Sequence, residues 1–181
     1  MPVSKMQRYA AGFTLIEVLV AMVVTAVGLF GLAKLQAMSV ANTQVSRVRS
    51  LVALQLESLA ASMHGNSGFW GSAGTAPPTF SMSGATVTDT TGVLGAVTPD
   101  CSSATCSPAQ LAAYDVQAWA ASMAAHFPTY AAVVNCNSGP NVPATCNMTV
   151  TWQESYKASS QNTVVAGGQT ATQSLTLYVQ P

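Results

Sequence analysis

The sequence predicts an α+β protein, in which a long N-terminal helix packs on a small antiparallel β-sheet domain with one additional helix. Three observations predict it. An apolar run, residues 10–34, flows into a stretch with neither glycine nor proline from Leu32 until Gly65. A second helix signature stands at SPAQLAAYDVQAWAASMAAHFP. The remaining C-terminal segments alternate apolar and polar residues with period two, the spacing of half-buried strands.

The first helix is expected over residues 13–63. Phe13 to Ala33 holds about 21 residues, enough to cross a bilayer at 1.5 Å rise per residue. Beyond it, Met38, Ala41, Val45, Val48, Val52, Leu56, Leu59 and Met63 recur every three or four residues, while Arg47, Arg49 and Glu57 lie off that stripe. The first part is therefore apolar all round and the second on one face only. Residues 13–33 are expected to span a membrane, residues 34–63 to be amphipathic, and Gly65 to cap the end.

Residues 64–181 are expected to form the outer head domain. Residues 64–100 are rich in Gly, Ser, Thr and Ala around Pro77-Pro78 and predict a loop with weak strands near 79–88 and 92–97. Phe69 and Trp70, in this Gly-rich stretch, are expected in the core. The second helix starts at an N-cap Ser107, followed by Pro108 and by Gln110, which completes a capping box. Val116, Trp119, Met123 and Phe127 form its apolar face, and Pro128 ends it. Strands are expected at Tyr130–Asn135, Asn147–Glu154 and Ser174–Gln180, with CNSGPNVPATC as the loop of a hairpin.

All four cysteines lie beyond the apolar run, in two close pairs. An even number so placed points to disulfides and an oxidising compartment. The expected pairing is Cys101–Cys106 and Cys136–Cys146, with the two other connectivities left open by sequence. Neither pair has C-x-x-C spacing and the histidines are badly placed for zinc, so no metal site is expected. Lys5 and Arg8 precede the run without an acidic companion, which places the N-terminus in the cytoplasm and the rest outside.

Hydrophobic residues make up 49% of the chain and charged residues only 7%, against roughly 25% charged in ordinary soluble domains. Such a chain suits packing against others. Basic and acidic residues balance at six each, so no polyanion-binding surface and no nucleic-acid partner are expected. Lys157 is the one Lys or Arg of the outer segment, which counts against a DNA-binding role.

No catalytic residues emerge. His64 and His126 sit at predicted helix ends, where charge suits the helix dipole. Neither is spaced to serve a nucleophile. Asp89, Asp100, Asp115 and Glu154 are isolated, without calcium-loop clustering. Gly167-Gly168 lacks the Lys-Ser/Thr of a phosphate loop. The sequon Asn147-Met-Thr149 is weighed as a chance match. Neither cofactor nor enzymatic activity is expected.

Glu17 is the anomaly. A carboxylate inside an apolar span costs roughly 2.5 kcal/mol or more, so such residues are rare and mostly functional. The stretch containing it, GFTLIEVLVA from Gly12 to Ala21 behind the leader MPVSKMQRYAAG, resembles the type IV pilin family. That resemblance implies the pilin fold, a helical spine on a small sheet domain. It implies that residues 1–12 are a leader, cut between Gly12 and Phe13 by a membrane peptidase that also N-methylates Phe13. It further implies that Glu17, fifth in the mature chain, is a charge used in assembly. The implied partners are the prepilin peptidase/N-methyltransferase, other major and minor pilins and the inner-membrane assembly platform. The implied place is the inner membrane, head domain periplasmic, and then a pilus fibre or its tip. The expected function is that of a minor pilin, a structural subunit that initiates or modifies pilus assembly. Secretion and competence pseudopilins share the motif and are the alternative.

Overall fold

The computed structural model describes residues 12–72, 74–137, 139, 142–156 and 169–181. The basic leader residues, Lys157 and Gly167-Gly168 lie outside these, as do the side chains of Met38 and Ala41. The chain divides into two units, Met1–Ser46 and Arg47–Pro181, considered in turn.

In the first unit the helix α1 (Leu15–Gly65) begins. It is the one helix among the described residues long and apolar enough to cross a membrane. Its large apolar side chains are exposed without exception from Leu15 to Leu35. Polar side chains within this span turn inward on the backbone. Thr25 Oγ1 donates to Ala21 O and Met22 O at 3.0 and 2.9 Å. Hydroxyls satisfied this way need no water, as an apolar surrounding requires.

The second unit carries the core. Residues 47–65 of α1 bury Val52, Leu56, Leu59 and Met63, the inner half of the expected stripe. Gly65 does not cap the helix: it remains helical, and Asn66 N–H closes on Ser62 O at 3.2 Å. The buried Asn66 then donates from Nδ2 to Pro108 O at 2.7 Å, so a tertiary contact, and not a left-handed glycine, redirects the chain. The short α2 (Ser67–Trp70) follows and sends Phe69 and Trp70 into the core. Trp70 lies 5.6 Å from the ring of Phe80.

Strands β1 (Thr79–Ser83) and β2 (Thr86–Asp89) form a hairpin whose two-residue turn has Gly84 at φ 55°, where glycine carries no Cβ penalty. The expected second strand at 92–97 does not form. Asp89 captures that backbone: its carboxylate accepts from Thr91 N, Val93 N and Gly95 N at 3.1, 3.1 and 3.3 Å, with Gly92 at φ 73°. Gln117 Nε2 holds Leu94 O and Ala96 O at 2.7 Å each. The segment spends its polar groups on side chains, leaving no ladder to join.

Helix α3 (Pro108–His126) carries the predicted capping box, with Ser107 accepting from Gln110 N and Gln110 accepting from Ser107 N. Val116, Trp119 and Met123 are buried, and Phe127 packs half-buried beside them. Trp119 Nε1 donates to Gln55 O of α1 at 2.7 Å, tying the two helices.

The strands β3 (Ala131–Asn137), β4 (Thr145–Tyr156) and β5 (Gln169–Val179) complete a five-stranded antiparallel sheet of order β2-β1-β3-β4-β5. All three run longer than expected: β3 gains residues at its end, β4 at both ends and β5 at its start, because the ladder extends into the polar residues flanking the apolar alternation. One face, bearing Phe80, Met82, Val134, Met148, Val150 and Trp152, is buried against the helices. The architecture is α+β and pilin-like: a long helix on a small antiparallel sheet with another helix.

Candidate functional site

The residues around the expected processing point form the first part of the site. Gly12, Phe13 and Thr14 precede the helix without regular structure. Thr14 opens it: its carbonyl accepts from Glu17 N at 3.1 Å and Val18 N at 3.3 Å, and its Oγ1 lies 3.4 Å from Glu17 N. This is one arm of a capping box. Sequence reasoning passed over it, although Thr14-Leu-Ile-Glu17 has the S/T-x-x-E spacing.

Glu17 is the acidic residue of the first turn, where the helix dipole favours negative charge. It is exposed, and with Phe13, Ala21 and Thr25 it lines one shallow groove of the helix surface. Phe13 and Glu17 therefore fall on the same side, one turn apart. Among the described residues the only ion pair is Arg49–Glu154, so Glu17 meets no cation of its own chain there. Gly28 and Gly31 have open space where a Cβ would stand, so nothing within the described chain requires glycine at either position.

The head supplies rigidity. Cys101 and Cys106 are bonded, as are Cys136 and Cys146. The second bond joins residues directly opposite each other on β3 and β4. It therefore lies inside the strands, and the ladder goes one pair further, to Asn137 and Thr145, before the loop.

Glu154 has a partner from far along the chain. Arg49 grips it from α1 with two bonds, Nε to Oε1 at 3.3 Å and Nη2 to Oε2 at 3.2 Å, while Trp152 Nε1 donates to Oε1 at 3.0 Å. Arg49 also reaches Gln173 Oε1 at 3.1 Å. The partners are about a hundred residues apart in sequence, so no local pattern could have revealed them.

Other titratable groups serve structure. Burial alone would raise the Asp89 carboxyl, but hydrogen bonds from Thr91, Val93 and Gly95 outweigh it and hold the group below its ordinary value. Burial pushes Asp115 up. It also pushes the Tyr130 phenol up to about 12, with the hydroxyl 2.8 Å from Gly84 O and 3.2 Å from Ala120 O. His64 and His126 are exposed at helix ends, and His126 Nδ1 bonds Ser122 O of its own helix at 2.8 Å. The sequon residue Asn147 sits mid-strand with its Oδ1 enclosed, a poor position for glycan attachment. Among the described residues no cluster of His, Cys, Asp or Glu could hold a metal.

Residues 7–33 match the family model of the prokaryotic N-terminal methylation motif. No curated protein matches the chain, and no solved structure matches it. The matched span covers the basic leader's end, Gly12, Phe13, Glu17 and the apolar half of the helix, and supports a pilin-like chain. Subunits bearing this motif assemble into pili or pseudopili and are structural, not enzymatic.

Proposed function

We propose that the chain is a minor pilin of a type IV pilus, a structural subunit that initiates or modifies assembly and affects adhesion. The carrying observation is the methylation motif, which runs into the exposed apolar half of α1, where the one acid, Glu17, has no cationic partner in the described chain. Residues 13–33 anchor the chain in the inner membrane, leader inside and head outside. The peptidase cuts after Gly12 and methylates Phe13.

Cleavage creates a positive secondary amine one turn from Glu17. Within a filament, the amine of a neighbouring chain neutralises that carboxylate as both leave water. An unpaired buried charge is costly and a paired one tolerable, so the pair selects register. Within the pilin family, the wording from Phe13 to Gln36 and the later Trp119, Phe127-Pro128 and Val150-Thr-Trp152 are similar to the pilus modification protein, which favours a minor over a major subunit.

The test is mass spectrometry of sheared surface fibres. The expected species starts at N-methyl-Phe13, and Glu17→Ala is expected to abolish its incorporation while leaving the head folded. Normal incorporation of Glu17→Ala would sink the charge-pairing account. Glu17→Gln incorporating as wild type would retain hydrogen bonding and remove the charge. A processed chain absent from fibres but present with secretion components would mark a pseudopilin.

A further inference from the structure

The two edges of the sheet are unlike. At one, β2 is four residues long and ends in Asp89, whose carboxylate folds the following chain over the strand end, with α3 packed nearby. At the other, β5 runs eleven residues, Gln169–Val179, with neither a charged residue nor a proline. Among the described strands its only ladder partner is β4. Natural edges are ordinarily blunted by shortness, lysine, proline or a bulge. Here the ladder is regular and none of these guards is present.

The direction of the main chain on this edge follows from one bond. Cys136 N–H points away from β4, to Pro78 O at 2.8 Å. In an antiparallel ladder a residue's N–H and C=O share one side and alternate along the strand. Carried through the registers, Met148↔Leu177 and Val150↔Leu175 are the pairs that exchange bonds. Thr172, Ser174, Thr176 and Tyr178 then direct both main-chain groups outward, and their side chains are exposed. On the inner face Leu175 and Leu177 are only half-buried. Leu175 borders a groove shared with Arg49 and Ala53 of α1, with Trp152 and with Gln173 and Ser174 of β5.

We propose that the free edge of β5 is a strand-pairing site for an extended, uncharged segment of a different pilin-like subunit in the same assembly. The incoming strand satisfies the outward groups of residues 172–178 and covers Leu175 and Leu177 with its inward side chains, the arrangement of β-augmentation. The absence of charge on β5 gives an ionic partner nothing to pair with. A symmetric β5–β5 pair of two copies is excluded by direction. Its two-fold axis would stand normal to the sheet, so the 47–65 segments lying against the inner face would point oppositely, against the subunit reading, in which all chains enter the assembly in one sense. The proposal rests on the subunit reading above.

The test places a photo-crosslinking phenylalanine derivative at Ser174 of the full-length chain in its own membranes, with the same probe at the fully exposed Val97 as control. Expected is an adduct from position 174, absent from 97, with a second chain that itself carries an N-terminal methylation motif. Thr176→Pro removes an outward N–H and no main-chain bond to β4, losing there only the exposed hydroxyl contact with Thr149 Oγ1 at 3.1 Å, so the head is expected to stay folded while the adduct is lost. If that variant unfolds, Thr176→Lys leaves the backbone intact and is expected to cause the same loss. No adduct at 174, an adduct only with a second copy, or an adduct surviving in a folded Thr176→Pro chain overturns the proposal. When any of these occurs with wild-type chain still in fibres, the edge proposal fails and the subunit reading stands. Absence of wild-type chain from fibres and from every pilin complex removes both.

Discussion

One helix, α1, lives in two chemical worlds. Up to Leu35 its leucines, valines and phenylalanine are exposed, Leu15 at 92%. From Val52 to Met63 residues of the same kind are wholly covered, Leu56 at 1%. Residue type does not separate the two stretches. Pattern does: apolar all round against apolar on one face. A one-faced stripe needs a single partner, which the chain provides as its own sheet and α3. An all-round surface needs surroundings on every side, which only lipid or neighbouring helices supply.

The sharpest way to test that contrast is truncation in each half. Leu56→Ala is expected to cost the head about 2–5 kcal/mol, the range for emptying a well-packed site, read as a lowered denaturant midpoint. Leu19→Ala is expected to leave that midpoint unchanged, because its side chain touches none of the head's core. A shift from Leu19→Ala as large as that from Leu56→Ala would break the comparison.

Next in size is the Cys136–Cys146 bond. Replacing both residues by Ser is expected to cost roughly 2–3 kcal/mol in the chain-entropy account, measured by thermal unfolding of the head. Helix insertion should not respond. Smaller again, about 1 kcal/mol each, are Ser107→Ala, which removes the α3 cap, and Tyr130→Phe, which removes a buried hydrogen bond. Both are expected to shift the head's unfolding and leave fractionation with membranes intact.

The smallest effect is a pH dependence. Asp89 is held below its ordinary value in the folded head, so its contribution is fully present above the unfolded carboxylate range, near pH 4. It is lost as pH falls through the lower folded value. Asp115 has the opposite sign: its raised folded value means that stability is lost as pH rises through the carboxylate range. Asp89→Asn should flatten the acid limb of a stability–pH curve, and Asp115→Asn should raise stability at neutral pH. Equal curves for wild type and Asp89→Asn would rule out the 89–95 turn as a carboxylate-held structure.

What could be read ahead of the structure was whatever is encoded locally. The stripe from Val52 to Met63, the Ser107–Gln110 box and the alternation of Met148, Val150 and Trp152 are periodic or short-range, and each points to its element. Features made by distant partners were invisible. Residues 92–97 look like a strand until Asp89 and Gln117 take their backbone groups. Gly65 looks like a cap until Asn66 finds Pro108. Arg49 looks merely solvated until Glu154 arrives from β4. At the N-terminal end the legible part was the methylation motif itself, because it is contiguous. Thr14 was equally readable, since Thr14-Leu-Ile-Glu17 is a short-range signal of the same kind as the Ser107–Gln110 box.

That threonine has a consequence of its own. The helical ladder starts at the Thr14 carbonyl, so the Gly12–Phe13 peptide stands just outside it. A protease must grasp a substrate as extended chain, and a bond wound into a stable helix has first to be unravelled. By fixing the first turn at Leu15, Thr14 leaves Gly12 and Phe13 unwound, in the form a peptidase needs. Under the processing proposed above, the cut falls where the helix is prevented from beginning.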